Sequence, residues 1–209
     1  MVKAHYFYDP MCGWCYGATP LMEVVAAHPG IELHYHPGGM LDNRLLETGM
    51  RQHIIQSDQR IGQETGQVFG DRYLNRLQSA EPVVLDSYLP TRALLVAKDM
   101  GLDTFAMLKA IQSAHYQQGR NVNELETLLA IAVAMGAPSD SWLQQMARPD
   151  QALNSAISQS HSLMQTHQVG GFPTLMIERE HGRWKKLPLN QFYRRPADWQ
   201  QYLTQALSA

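Results

Sequence analysis

The opening of the chain alternates strand, helix and strand within its first 37 residues, and this order restricts the possible folds more than any other feature. Residues 3–8 read as a strand. The turn Asp9-Pro10-Met11 follows, then a helix from near Cys12 that runs through Leu21, Met22, Val24 and Val25 and stops at His28-Pro29-Gly30. Ile31 to His36 reads as a second strand leading into Pro37-Gly38-Gly39. Two strands joined through a helix pair in parallel, with a right-handed crossover.

From about residue 40 to 168 the pattern turns helical. Leu125, Leu128, Leu129, Ala132 and Val133 fall on one face of a 3.6-residue repeat that Gly136 ends. Ala93–Met100 and Phe105–Tyr116 read as two further helices, stopped at Gly101 and Gly119, and the stretch from Gln151 to His167 as another. Residues 45–78 carry more helix, weakened by Gly62, Gly66 and Gly70, while Val83-Val84-Leu85 is too short to assign. After Gly170-Gly171 the period becomes two: Thr174–Glu180 and Trp184–Leu187 read as a hairpin turning at His181-Gly182. A last helix begins at Pro196 and buries Trp199, Tyr202, Leu203, Ala206 and Leu207. The expectation is one α/β domain formed by residues 1–39 and 150–209, with a helical domain inserted over 40–149.

The chain contains two cysteines, Cys12 and Cys15, placed where the first strand hands over to its helix. One bridge closing so short a loop constrains the unfolded chain very little, so the pair is not a structural staple. The expected location is the cytoplasm, because the N-terminus reads directly as a strand and not as a signal peptide. Where thiols are kept reduced, such a pair is catalytic or metal-binding. A net charge of −2 gives no reason to expect nucleic acid, and no run is long and apolar enough to span a membrane.

A thiol attacks a disulfide as thiolate, and the start of a helix favours that anion through unpaired N–H groups and the positive end of the dipole. Cys12, at the junction, is the expected nucleophile. Cys15, one turn further in, is the expected resolving thiol. The same tetrapeptide is also half of a zinc site, which His34 and His36 could complete from one face of the second strand, with His5 nearby. The residues alone leave both readings open.

Three features together resemble the DsbA family of the thioredoxin superfamily, in its signal-less cytoplasmic branch. They are Cys12-Gly13-Trp14-Cys15 after the first strand, Pro20 five residues beyond Cys15, and Gly171-Phe172-Pro173-Thr174 opening a late strand. The resemblance implies a thioredoxin-like fold interrupted by helices. It also implies a Pro20 that kinks the active-site helix, at about 3 kcal/mol for a mid-helix proline, and a cis Pro173 packed against the sulfurs. The backbone before that proline would pair with an extended substrate. Gly13, Trp14, Phe172 and Pro173 are therefore the expected substrate contacts.

Two positions depart from the family pattern. Phe172 stands where a small or β-branched residue is usual, setting a bulky ring beside the sulfurs. Tyr6 stands where many members bury an acid that serves the resolving thiol, leaving Asp9, another side chain or water for that task; His5 and Tyr8 read as structural. The implied activity is reduction or isomerisation of protein or peptide disulfides without a cofactor or metal, glutathione being a further thiol partner. A glutathione-dependent isomerase or transferase of the kappa type shares the inserted fold, but usually carries serine at the nucleophile position and needs no second cysteine. The 11 methionines would suit an adaptable peptide surface, although scattered Met more often fills cores.

Overall fold

In a computed structural model, which describes residues 1–208, strand β1 (Val2–Tyr8) is one of the two inner strands of a four-stranded sheet. It pairs in parallel with β2 (Ile31–Pro37), as the β-α-β order predicts, with Tyr6 opposite Tyr35 and His5 opposite His34. On its other edge it pairs antiparallel with β5 (Thr174–Glu178), which turns back into β6 (Trp184–Leu187). The sheet order is thus β2-β1-β5-β6, with the expected late hairpin at its edge.

Alternation along β1 sends Ala4, Tyr6 and Tyr8 into the main core and His5 and Phe7 to the opposite face. The first face is covered by α1 (Gly13–Gly17), α2 (Thr19–Ala26) and the C-terminal α10 (Pro196–Ser208). There the buried Trp199 donates its indole N–H to the Leu21 carbonyl at 2.9 Å. The second face is covered by α9 (Gln151–Thr166), whose Leu163 and Met164 pack on Phe7, Val169 and Met176. Of the stripe expected on α10, Trp199, Leu203 and Ala206 are buried, and Tyr202 and Leu207 are half-buried.

The helix expected from Cys12 is two helices, and Pro20 is the reason. Pro20 sits in the first turn of α2, where its missing N–H costs nothing, so the mid-helix penalty does not arise. The Tyr16 carbonyl that a residue-20 N–H would have met instead accepts from Gln67 Nε2 at 2.9 Å.

Between β2 and β5 lie α3 (Thr48–Thr65), α4 (Asp71–Gln78), α5 (Tyr88–Asp99), α6 (Thr104–Gln112), α7 (Leu125–Ala134) and α8 (Ser139–Met146). Arg44–Leu45 (β3) and Val84–Leu85 (β4) form a two-residue antiparallel ribbon. The end of α6 widens into a π turn over Ser113–Gln117. Its Tyr116 stacks on Tyr16 at 4.8 Å, and Gln117 Nε2 donates to the Tyr16 hydroxyl at 2.8 Å. These contacts tie the helices to the end of the sheet where the cysteines lie. No helix among the described residues is long and apolar enough to cross a membrane.

Candidate active site

Cys12 is the N-cap of α1, in extended conformation, with its own N–H donated to the Asp9 carbonyl at 3.1 Å. It is 8% exposed, whereas Cys15, one turn on, is 1% exposed. Both are free thiols. The Cys15 thiol, hydrogen-bonded to Cys12, holds Cys12 below the ordinary thiol range, helped by the N–H groups of Cys15 and Trp14 against the opposing effects of burial and Asp9. Burial, and then the Cys12 sulfur, push Cys15 well above that range. The helix-dipole expectation thus gives way to a more local cause. A helix of 5 residues supplies little dipole, and adjacent donors do the stabilising.

The Phe172–Pro173 bond is cis, and the Phe172 carbonyl accepts the Cys12 S–H at 3.8 Å. The Phe172 ring packs both on the main core, to which the cysteines belong, and on the cluster at the α9 side of the sheet. The tip of the ring meets Gly38, where an added Cβ would fall 2.2 Å from it. Trp14 is half-buried, stacked on Tyr193 at 5.8 Å, with the Arg60 guanidinium 5.7 Å from its ring centre.

The two candidates for the missing buried acid are both assigned other work. The Tyr6 hydroxyl reaches Cys15, but burial raises its pKa so far that it serves only as a neutral hydrogen-bond partner. Asp9 is fully buried with both oxygens engaged: Oδ1 accepts from Met11 N–H and Ser87 Oγ–H, and Oδ2 from Met40 N–H at 2.7 Å. It holds together the loops around Cys12. Burial raises its pKa against those three donors.

Asp58, which the sequence reading did not single out, lies directly above the active-site turn. It belongs to the buried stripe Asp58, Ile61, Thr65 that α3 lays across α1. That close crossing explains two glycines. A Cβ at Gly13 would come within 2.9 Å of both Asp58 Oδ1 and Ile61 Cδ1, and one at Gly17 within 2.9 Å of Thr65 Cγ2. Gly13 is therefore needed for packing, in addition to its expected place at a substrate surface. An isolated Asp within an amphipathic stripe was the available signal, but it reads equally well as the edge of a polar face.

Two hollows flank the cysteines. A cavity of about 350 Å³ on the α3 side is walled by Cys12, Met40, Met50, Asp58, Tyr73 and Tyr116. A groove of similar volume, about 350 Å³, runs past Trp14, Arg60, Glu64, Pro173, Lys186 and Tyr193. A larger hollow of about 860 Å³ opens at the other end of β1, around Val2, Lys3 and Arg183. Neither cysteine lines it.

The zinc alternative fails on topology. His5, His34 and His36 form a stack on the α9 side of the sheet, with ring centres 5.1 Å apart, whereas both cysteines belong to the core on the other side. His5 Nδ1 shares a hydrogen with His36 Nε2 at 2.9 Å, and its Nε2 with Glu178 at 3.0 Å. Among the described residues no group of three or more His, Cys, Asp or Glu side chains is disposed to hold a metal.

The difference between the thiols predicts their chemical behaviour. Alkylation with iodoacetamide is expected to modify Cys12 with a pH midpoint below that of an ordinary thiol. Cys15 is expected to stay unmodified until the chain unfolds, with peptide mass mapping as the readout. Equal modification of both would contradict the asymmetry.

A family model described as DSBA-like thioredoxin domain matches residues 4–193. Among solved structures, the cytosolic disulfide reductase DsbM from Pseudomonas aeruginosa, crystallised with glutathione (GSH), is 34% identical with a TM-score of 0.88, the match covering 99% of this chain and 100% of that one. A candidate protein disulfide isomerase from Nitrosomonas europaea shares the fold at 22% identity and a TM-score of 0.80, over 99% of this chain and 98% of that one. A 2-hydroxychromene-2-carboxylate isomerase shares it more distantly, at 11% identity and a TM-score of 0.56 over 99% and 98% of the two chains. A search of curated proteins gives no significant match. The strand order, the interposed helices and the match over most of the chain agree: the chain belongs to the DSBA-like thioredoxin family and is a disulfide oxidoreductase.

Proposed function

We propose that Cys12 and Cys15 reduce or isomerise disulfides of proteins and peptides, with glutathione among the thiols that exchange with them. The observation that carries this reading is the division between the two sulfurs: one slightly exposed and acidified at a helix start, the other sealed and kept protonated. In the forward direction the Cys12 thiolate attacks a substrate disulfide and forms a mixed disulfide. Cys15 then loses its proton and attacks Cys12, releasing the substrate thiol and leaving the Cys12–Cys15 disulfide. Two equivalents of a small thiol regenerate the dithiol.

The groove beside Pro173 suits a zwitterionic peptide thiol. Arg60 and Lys186 offer cations for carboxylates, and Glu64, paired with Arg60 at 2.7 Å, offers an anion for an ammonium group. The 34% identity to a cytosolic reductase solved with glutathione favours the same thiol class, and a reducing cytoplasm as the setting. In this reading residues 1–39 and 150–209 form the thioredoxin-like unit, and the insertion over 40–149 supplies the second wall of the site. The kappa-type alternative has only a distant likeness of fold on its side, and Cys15 has no part in such chemistry.

A Cys15→Ala variant tests the reading. It is expected to accumulate mixed disulfides at Cys12 in cells, resolved on non-reducing gels and identified by mass spectrometry, and to lose them when Cys12→Ser is added. Protein adducts would support the disulfide reductase or isomerase role, and capture of glutathione alone would favour a small-thiol enzyme. Absence of any adduct would overturn the proposal.

A further inference from the structure

Asp58 stands at a place where proton transfer is useful, yet the exchange chemistry above leaves it without a role. Its carboxyl is buried, with a side chain from α3 resting on the Gly13 backbone between the two cysteines. Oδ2 accepts the Tyr73 hydroxyl at 2.7 Å. That bond leaves the acid proton on Oδ1, the oxygen 2.9 Å from where a Gly13 Cβ would stand, on the wall of the cavity that Cys12 also lines. The glycine is what lets the carboxyl approach so closely.

We propose, on the basis of the Cys12 reading above, that Asp58 is the general acid that protonates the thiolate leaving when Cys12 opens a substrate disulfide. In that step the Cys12 thiolate forms a bond to one sulfur of R–S–S–R′, and the S–S bond breaks with its electron pair on R′S⁻. The Oδ1 proton of Asp58 passes to R′S⁻, giving R′SH and the Asp58 carboxylate, which regains a proton from water in the open cavity. When the mixed disulfide is resolved, the Cys15 proton serves the second thiol in the same way, so the two thiols released take one proton each from Asp58 and Cys15.

The surroundings suit a proton donor near neutral pH. Burial raises Asp58 to about 7, with the Tyr73 hydrogen bond opposing. Tyr73 on α4 and Tyr116 on the π turn are phenols kept neutral by burial. His115 on the same turn is pushed down to about 3 by burial, so it brings no positive charge. Cys12 faces the cavity from α1, Arg44 and His53 line it, and Arg76 on α4 acts on Tyr73. A group near pH 7 can give its proton to an alkyl thiolate, whose conjugate acid titrates near 8.5.

The test compares leaving groups. Single-turnover rates of the dithiol enzyme are measured with glutathione disulfide, which expels an alkyl thiolate, and with dithiobis(nitrobenzoate), whose aromatic thiolate leaves without a proton. Asp58→Asn keeps the acceptor for Tyr73 and removes the acid. The ratio of the alkyl to the aromatic rate at pH 7 is expected to fall at least about tenfold. In the unaltered enzyme the alkyl rate should decline as pH rises through about 7, and in the variant that decline should vanish. An unchanged ratio, whether both rates fall together or neither does, or a decline that survives in Asp58→Asn, would overturn the assignment. Cys12→Ser should abolish both reactions; if it does not, the Cys12 reading fails independently of Asp58.

Discussion

Asp9→Ala is expected to destabilise the protein by about 3–5 kcal/mol, a large share of the stability of a domain this size. The reason is the completeness of the site it leaves behind. Met11 N–H, Met40 N–H and Ser87 Oγ–H all point at the carboxylate, and each would be left buried without an acceptor at roughly 1–3 kcal/mol apiece. Ser87 also accepts from Leu41 N–H at 3.1 Å, so the damage reaches the loop after β2. All three partners are donors that suit a carboxylate, and they oppose the burial that raises its pKa.

The isosteric variant separates charge from shape. Asp9→Asn keeps one carbonyl oxygen, which can still take the two donors at the Oδ1 position, but it presents an NH₂ group to Met40 N–H. A loss of about 2 kcal/mol, roughly half that of alanine, is the expected result. Urea denaturation with an unchanged m-value measures both. If alanine cost less than 1 kcal/mol, the carboxylate would not be the fastening of the active-site loops.

How far the sequence revealed this molecule depended on the range of the interactions involved. The β-α-β opening and the late hairpin were legible because alternation and Pro/Gly breaks are local signals, and they alone determine the paired edges of β1. The difference between the two thiols was legible for the same reason, since the sulfurs and the N–H groups that tune them lie within one turn. The split at Pro20 was legible only in part: the residue was noticed, but sequence does not say whether a helix bends or restarts. The π turn over 113–117 packs on Gly70, whose absent side chain lets Gln117 O approach to 1.9 Å from where a Cβ would stand, a contact that no local pattern announces.

The hidden part of the site is the part that crosses the fold. Asp58 meets Gly13 because Ile61 and Thr65 seat α3 on two glycines of α1, and no local pattern carries that register. The seat of Phe172 was hidden for the same reason. Its ring meets Gly38, just beyond a strand far away in sequence.

Asp58→Asn should raise stability, and by an amount that depends on pH. The folded-state pKa of Asp58 is raised from 3.8 to about 7 by burial. The contribution of such a group is present in full below the unfolded pKa and is lost as pH rises through the folded one. With about 1.4 kcal/mol per unit over roughly three units, ionisation of Asp58 costs the native state about 3–4 kcal/mol at pH 8. Asparagine fits the same space, accepts from Tyr73 and never ionises. The variant should therefore match the parent near pH 4 and exceed it by about 3–4 kcal/mol at pH 8, with the difference opening between. Paired urea melts across that range read the difference directly, because every other titrating group is common to both proteins. A pH-independent difference would mean that Asp58 is not held protonated by burial. The expected result has a functional meaning as well: a chain that keeps a destabilising acid against its active-site turn, where a neutral isostere would be more stable, retains it for what it does there.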